Sequence, residues 1–362
     1  MMYLDHASTS PLLPEVREAM APWWGAPANP GSAHRAGQRA ASAVEAARAE
    51  VAALLERPVA GVVFGSGATE ANHHALRIAA AQGATTVAVS GVEHPCVSAA
   101  AVLAGLDIRP LAVDGAGRIE VSTADADVLC CMAVNHETGV RQDVAGAVAQ
   151  RAAGRVRHVH CDAAQALGKG PVEGLALADT VVASAHKLGG PAGVGALSLL
   201  NAEHGVPLFG GGGQERGLRS GTVNVAGVVG FGVACRLAQL ETKARLARWT
   251  TLARKLRAGL RALGAREMGE DAPRVPTHTC VVFDGIEGET LVQALDLRGF
   301  ALSSGSACAS GSSEPSPVLI AMGEPDARGA LRISLGPHTS VEHVDALLAV
   351  LPEVLGALRE FG

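Results

Sequence analysis

Lysine is scarce in this chain of 362 residues, standing only at 169, 187, 243 and 255. Chemistry that needs a reactive amine therefore has few places to occur. A basic excess is missing too: 30 Lys plus Arg face 35 Asp plus Glu, for a net charge of −5. Nothing is left over to neutralise a phosphate backbone, which argues against DNA or RNA as a partner. The opening residues, MMYLDHASTSPLLP, put Asp5 and His6 where an export signal needs a basic start and then an apolar run. The longest uncharged apolar stretch, Val225 to Cys235, holds three glycines and stops at Arg236. That is well short of the roughly 18 residues a membrane helix needs. A soluble cytoplasmic protein with no membrane partner is expected. The seven cysteines, at 96, 130, 131, 161, 235, 280 and 308, are odd in number and form no CxxC pair. This speaks against a disulfide framework and against a structural metal site.

What is present describes an ordinary globular chain, with 48% apolar and 18% charged residues. Its length suggests two domains. Residues 38–57 place Val44, Ala47, Val51, Leu54 and Leu55 at helical spacing. Short β-like runs recur at GVVF, TTVAVS, DVLCCMAV, RVRHVHCD, DTVVASA and GVGALSLL, several of them separated by alanine-rich helical stretches. That alternation predicts an α/β fold with a largely parallel, buried sheet. Residues 235–263 carry Leu252, Leu256, Leu260 and Leu263 on one face and read as a long helix leading out of the first domain. A strand at THTCVVFDG, a helix at TLVQALDLRG, a Gly/Ser-rich loop over 303–316, a strand at ALRISLG and a closing helix make a smaller α+β unit. The expected division is a large domain over 15–242, and a small domain of 1–14 with 243–362.

Several segments carry chemistry. GSGATE, Gly65 to Glu70, follows a β-like run and precedes a helix, as a phosphate cradle or a plain capping turn would. Asp162 ends a strand, where open α/β sheets place ligands, and could hold a ring nitrogen protonated or simply cap the next helix. Lys187, in SAHKLGGPAG, is the best Schiff-base candidate, because Lys243 and Lys255 fall on a polar helix face and Lys169 lies in a GKGP turn. GGGGQERGLRSGT, Gly210 to Thr222, reads as a loop whose Arg216, Arg219 and Thr222 face a phosphate, a partner subunit or neither. Cys308 lies among small residues that cannot build a core, so its thiol is expected to be exposed. Arg332 could pair a substrate carboxylate or bridge to an internal acid.

In order, these pieces resemble the cysteine desulfurases, within the fold-type I, class V aminotransferase group. The matching segments include LDHASTSP, ANPGSAHRAG, FGSGATEAN, VEHP, NHETGV, HCDAAQALGK, SAHKLGGPAGVGAL, GGGGQERGLRSGT, SSGSACASGSSEPS and LRISLG, which together span nearly the whole chain. The resemblance implies a large domain with a mostly parallel seven-stranded sheet, a smaller α+β domain and pyridoxal 5′-phosphate as cofactor. It implies that Lys187 joins the cofactor covalently and Asp162 pairs its ring nitrogen. His94 would stack on the ring and move protons, and Gln165 would contact the ring's 3′ oxygen. Ala68, Thr69, Ser184, His186 and, from a second subunit, Thr222 would bind the phosphate, which makes a homodimer the expected state. Arg332 and Asn135 would meet the substrate L-cysteine, and Cys308 would take its sulfur as a persulfide, leaving alanine. The loop around Cys308 is similar to that of the group whose mobile loop carries sulfur to a protein acceptor, as in iron–sulfur cluster assembly.

One departure is His136, which stands where the family usually has the Asn before its Glu-x-Gly; an imidazole there could reach the 3′ oxygen and titrate near its ordinary value of about 6.5. The chain also ends soon after its last helix, so the extension some relatives use to dock a scaffold is expected to be absent. A selenocysteine lyase or another pyridoxal-phosphate enzyme of the same group, such as a small-substrate aminotransferase, and a non-catalytic sulfur-trafficking scaffold are the competing readings. Retention of both Lys187 and Cys308 argues against the scaffold.

Overall fold

A computed structural model describes residues 1–305 and 315–361. Cys308 lies outside the described residues. The centre is a seven-stranded sheet in the order Val62–Gly65, Gly195–Leu199, Thr180–Ser184, His158–Asp162, Val128–Cys130, Thr86–Ser90, Asp107–Leu111. The five strands from Thr180–Ser184 to Asp107–Leu111 pair in parallel, and Gly195–Leu199 runs antiparallel to both its neighbours. Thr180–Ser184 and Gly195–Leu199 are buried at every position, which is why they read as continuous apolar runs and do not alternate. Asp107–Leu111 escaped the sequence reading because it is an edge strand, DIRPL, whose acid, base and proline suit a border that must not recruit another strand.

The long helix runs over Val225–Ala262 and starts ten residues before its expected beginning, at a cap where the Asn224 side chain accepts from Gly227 N. Its glycines permit close packing. A Cβ on Gly232 would come within 2.6 Å of Ala47 Cα, and one on Gly230 within 2.6 Å of the Met20 sulfur. Helices Arg35–Leu55 and Pro14–Trp24, which carry those neighbours, thus lie directly against it. By length and composition alone this helix could cross a membrane, but 56% of its most apolar window is buried inside the chain. Phe231, Ala234 and Cys235 enter the core of the large sheet; Trp249, Leu252, Leu256 and Leu260 enter a second core.

That second core lies under a three-stranded antiparallel sheet, Ala330–Ser334, His278–Val282 and Arg266–Glu267, closed by helices Gly288–Asp296 and Val341–Phe361. The N-terminal residues belong to it: Met2–Tyr3 pairs in parallel with Phe300–Ala301, and Leu4 is fully buried there. Residues 5–8 then cross to the large sheet, so they stand between the two cores.

Candidate active site

Parallel strands end together, and loops at their carboxyl edge enclose a cavity of about 360 Å³. Each wall comes from a different strand. The turn after Val62–Gly65 supplies Ser66 to Glu70 and opens helix Ala68–Ala81, whose N-cap Gly67 has no side chain to cap it. Backbone N–H groups there are available to an anion. Glu70 is held aside, accepting from Arg219 at 2.8 Å and from Ser66 Oγ at 2.6 Å.

Asp162 closes strand His158–Asp162 and is 7% exposed; Oδ1 accepts from Ala164 N at 2.9 Å and Oδ2 from Asn72 at 2.7 Å. Lys187 follows the neighbouring strand Thr180–Ser184, and its Nζ donates to the carbonyls of Ala7 and Ser8 at 2.5 and 2.7 Å. Ser184 also lines the cavity, its buried hydroxyl without a partner among the described residues. His186 is pushed down to about 4 by burial and by Lys187, so it is neutral. His94 caps helix Pro95–Leu103 by accepting from Cys96 N at 3.2 Å on Nδ1, which leaves the proton of its neutral ring on Nε2.

Asn135 departs from the expected arrangement. Asn135 does not line the cavity: its carbonyl accepts from Glu137 N, Thr138 N and Thr138 Oγ1 in its own turn, and its amide donates to Val92 O and Met132 Sδ, which ties that turn to its neighbours. This corrects its placement against the substrate. His136 does line the cavity, packed edge-on to His94 with ring centroids 5.5 Å apart, and its Nδ1 has no partner among the described residues. Burial, reinforced by His94, Arg332 and Lys187, holds it well below the ordinary histidine value. That direction runs against the expected titration near neutrality and favours the uncharged ring. Thr222 is exposed and lies outside its own chain's cavity.

Gln165 lines the cavity, donates to Ala7 O at 2.8 Å and accepts from Lys169 Nζ at 2.7 Å. Lys169, dismissed from the sequence as a turn lysine, is thus buried behind the site. Arg332 bridges to an internal acid, Asp5, at 2.8 Å, one of the two roles left open for it, and it also lines the cavity. It also donates to Ser8 Oγ at 2.6 Å and His136 O at 3.1 Å, while its buried Nε has no partner among the described residues. Cys96 is the thiol that lines the cavity among the described residues; burial and Asp162 push it up to about 12, so it remains protonated. Glu93, also missed, accepts from Met132 N at 2.6 Å behind Asp162 and is pushed up to about 8 by burial and by that aspartate.

A doubly wound sheet with a lysine and a buried carboxylate at adjoining strand ends, beside an uncapped helix N-terminus, defines the class: an enzyme of the aminotransferase class-V fold. The model of the aminotransferase class-V family matches residues 2–347. The chain is 38% identical to a cysteine desulfurase of Cereibacter sphaeroides, covering 99% of this chain and 96% of that one. It superposes on a solved NifS-like protein with a TM-score of 0.89 at 32% identity, over 99% and 100% of the two chains. A second solved structure, SspA in complex with cysteine, aligns with a TM-score of 0.78 at 28% identity over 94% of this chain and 100% of that one. This chain belongs to the cysteine desulfurase family.

Proposed function

We propose that the chain uses pyridoxal 5′-phosphate to take sulfur from L-cysteine, leaving L-alanine and a persulfide on Cys308 for a protein acceptor. The observation that carries this is the meeting of Lys187, Asp162 and Arg332 around one cavity. The residues present fit the cofactor. The uncapped start of helix Ala68–Ala81 and the unpartnered Ser184 hydroxyl suit its phosphate, the Asp162 carboxylate suits a protonated ring nitrogen, and Lys187 supplies the amine. When bound, the cofactor acts as an electron sink for the substrate's α-carbon.

The protein's own share is orientation and proton handling. Lys187 would serve as the base for that carbon's proton, and the backbone carbonyls of Ala7 and Ser8 hold its Nζ. His94 lines the cavity with its proton on Nε2 and would exchange that proton beside the cofactor. Arg332 meets the substrate carboxylate. The Cys308 thiolate attacks the substrate sulfur, so that an S–S bond forms as the C–S bond breaks; the carbon takes a proton and the product is alanine. Thr222, exposed and outside its own cavity, supports a homodimer in which it serves the second copy's phosphate.

Borohydride reduction of the cofactor-bound protein, followed by peptide mapping, tests the amine: the label is expected on Lys187, and a label on Lys169 would overturn the assignment. Cys308→Ser is expected to bind cofactor and cysteine yet form no persulfide. Normal sulfide release by that variant would leave a lyase in place of a desulfurase.

A further inference from the structure

His158, His160 and Asp162 alternate along one strand and so share one of its faces. Thr180, on the next strand, is in register with His160. On that face the polar groups connect end to end. Asn72 Nδ2 meets Asp162 Oδ2 at 2.7 Å, Asn72 Oδ1 meets His160 Nε2 at 2.8 Å, His160 Nδ1 meets Thr180 Oγ1 at 2.9 Å, and Thr180 Oγ1 meets His158 Nε2 at 2.9 Å. Asn72 and Thr180 are fully buried, His160 is 1% exposed and His158 9%. No water is needed to satisfy this row, and any member left unpaired in so dry a place would be costly.

Donor and acceptor capacities fix every proton along it. An ionised carboxylate only accepts, so the Asn72 amide nitrogen must face Asp162 and its carbonyl must face His160. A carbonyl only accepts, so His160 carries its proton on Nε2 and leaves Nδ1 bare. The Thr180 hydroxyl then donates to Nδ1 and accepts from His158. All hydrogen bonds therefore point toward Asp162, and in a low-dielectric interior aligned bonds polarise one another. Burial pushes His160 down to about 3, in keeping with the neutral ring that this geometry requires.

We propose that Asn72, His160 and Thr180 are positioning residues forming a one-way hydrogen-bond relay that holds the Asp162 carboxylate in one orientation, turned toward the cavity. The functional half of this rests on the reading that Asp162 meets the cofactor's ring nitrogen. A carboxylate fed by the relay is held in one rotamer with one oxygen bound on each side, by Ala164 N and by Asn72, and its remaining lone pairs serve the ring.

Nitrogen-15 NMR of the histidine-labelled protein tests the relay without reference to catalysis. His160 is expected as a neutral ring protonated on Nε2; an Nδ1–H tautomer or an imidazolium overturns the relay. Cofactor affinity and the visible spectrum of the bound cofactor test its effect. Asn72→Leu is expected to weaken pyridoxal phosphate binding about tenfold, as loss of a hydrogen bond to a charged group does. Its visible band should move in the same direction as that of Asp162→Asn, and by less. A wild-type spectrum in Asn72→Leu beside a changed one in Asp162→Asn defeats the relay and leaves the Asp162 reading intact. An unchanged spectrum in Asp162→Asn defeats that reading and the relay's role together. His160→Gln keeps a donor toward Asn72 and should retain more affinity than His160→Leu; equal losses would mean that packing alone is at work.

Discussion

Lys169 donates to Gln165 Oε1 at 2.7 Å from a position only 6% exposed, and so decides which end of the Gln165 amide faces the site. With Oε1 held by the ammonium and Nε2 donating to Ala7 O, the glutamine offers the cavity an N–H and not a carbonyl. Burial, with Lys187 and Arg332 nearby, pushes Lys169 down to about 7. An unfolded lysine keeps its proton to about 10.4, so across that window the unfolded chain binds more protons and stability rises with pH. Lys169→Met lacks this contribution. Urea midpoints of the two proteins compared at about pH 6.5 and about pH 9.5 should show wild type gaining on the variant at the higher pH. Midpoints that move in parallel would mean that Lys169 keeps its proton in the folded state.

The neutral His136 ring yields a second expectation. Its pKa is held well below the ordinary value by burial first and by three neighbouring cationic or titratable groups second. The visible spectrum of bound cofactor should therefore titrate identically in wild type and His136→Asn on the acid side of neutrality. A step seen in wild type and lost in the variant would show that solvent reaches the ring.

Both cases show where the sequence was legible and where it was not. Strands such as Thr180–Ser184 were readable because an interior strand must be apolar on both faces, and the turn GSGATE because glycine marks a tight approach to a helix start. The GKGP turn around Lys169 was also read correctly as a turn, with Gly168 and Gly170 at φ of 70° and 117°. Its burial was invisible. Helix Val225–Ala262 lies over it, so close that a Cβ on Gly168 would stand 3.1 Å from Ala238 Cβ, and only the fold reveals that contact. The polar alternation in HVHCD was visible and overlooked: His158, His160 and Asp162 recur at the strand's own period of two. Asn135 was set against the substrate because no local pattern says which of two neighbouring turn residues faces a site, and it is His136 that lines the cavity.

A third expectation concerns the loop leading to Thr222. Arg48 and Glu215 form a two-pronged ion pair at 2.7 and 2.9 Å, each side chain 3% exposed, and Glu215 also accepts from Phe64 N. Glu215 and Arg216 both hold left-handed backbone, φ 50° and 58°, which non-glycine residues adopt only under constraint. Arg48→Met leaves a buried carboxylate without its counter-charge and should cost about 3–5 kcal/mol in denaturation experiments. Adding Glu215→Gln removes the stranded charge while keeping an acceptor for Phe64 N, and should recover part of the loss. A double variant as unstable as the single one would mean that the pair's charge is not what holds this loop.

The last expectation turns on the shape of Arg332. One guanidinium meets Asp5, Ser8 and the carbonyl of His136 while lining the cavity, which only a planar fork with several donors can do. A lysine at this position keeps the charge, but its single ammonium cannot satisfy those partners and still present a donor pair to a carboxylate. Arg332→Lys should therefore raise the KM for L-cysteine about tenfold or more, the scale of a lost bidentate charge-assisted contact, with kcat less affected. Cofactor affinity should hold, because no proposed phosphate or ring contact involves this residue. Alanine formation measured over a range of cysteine concentrations separates the outcomes. A raised KM with intact cofactor binding assigns the fork to the substrate, whereas an unchanged KM would restrict Arg332 to its bridge with Asp5 and require another group to receive the carboxylate.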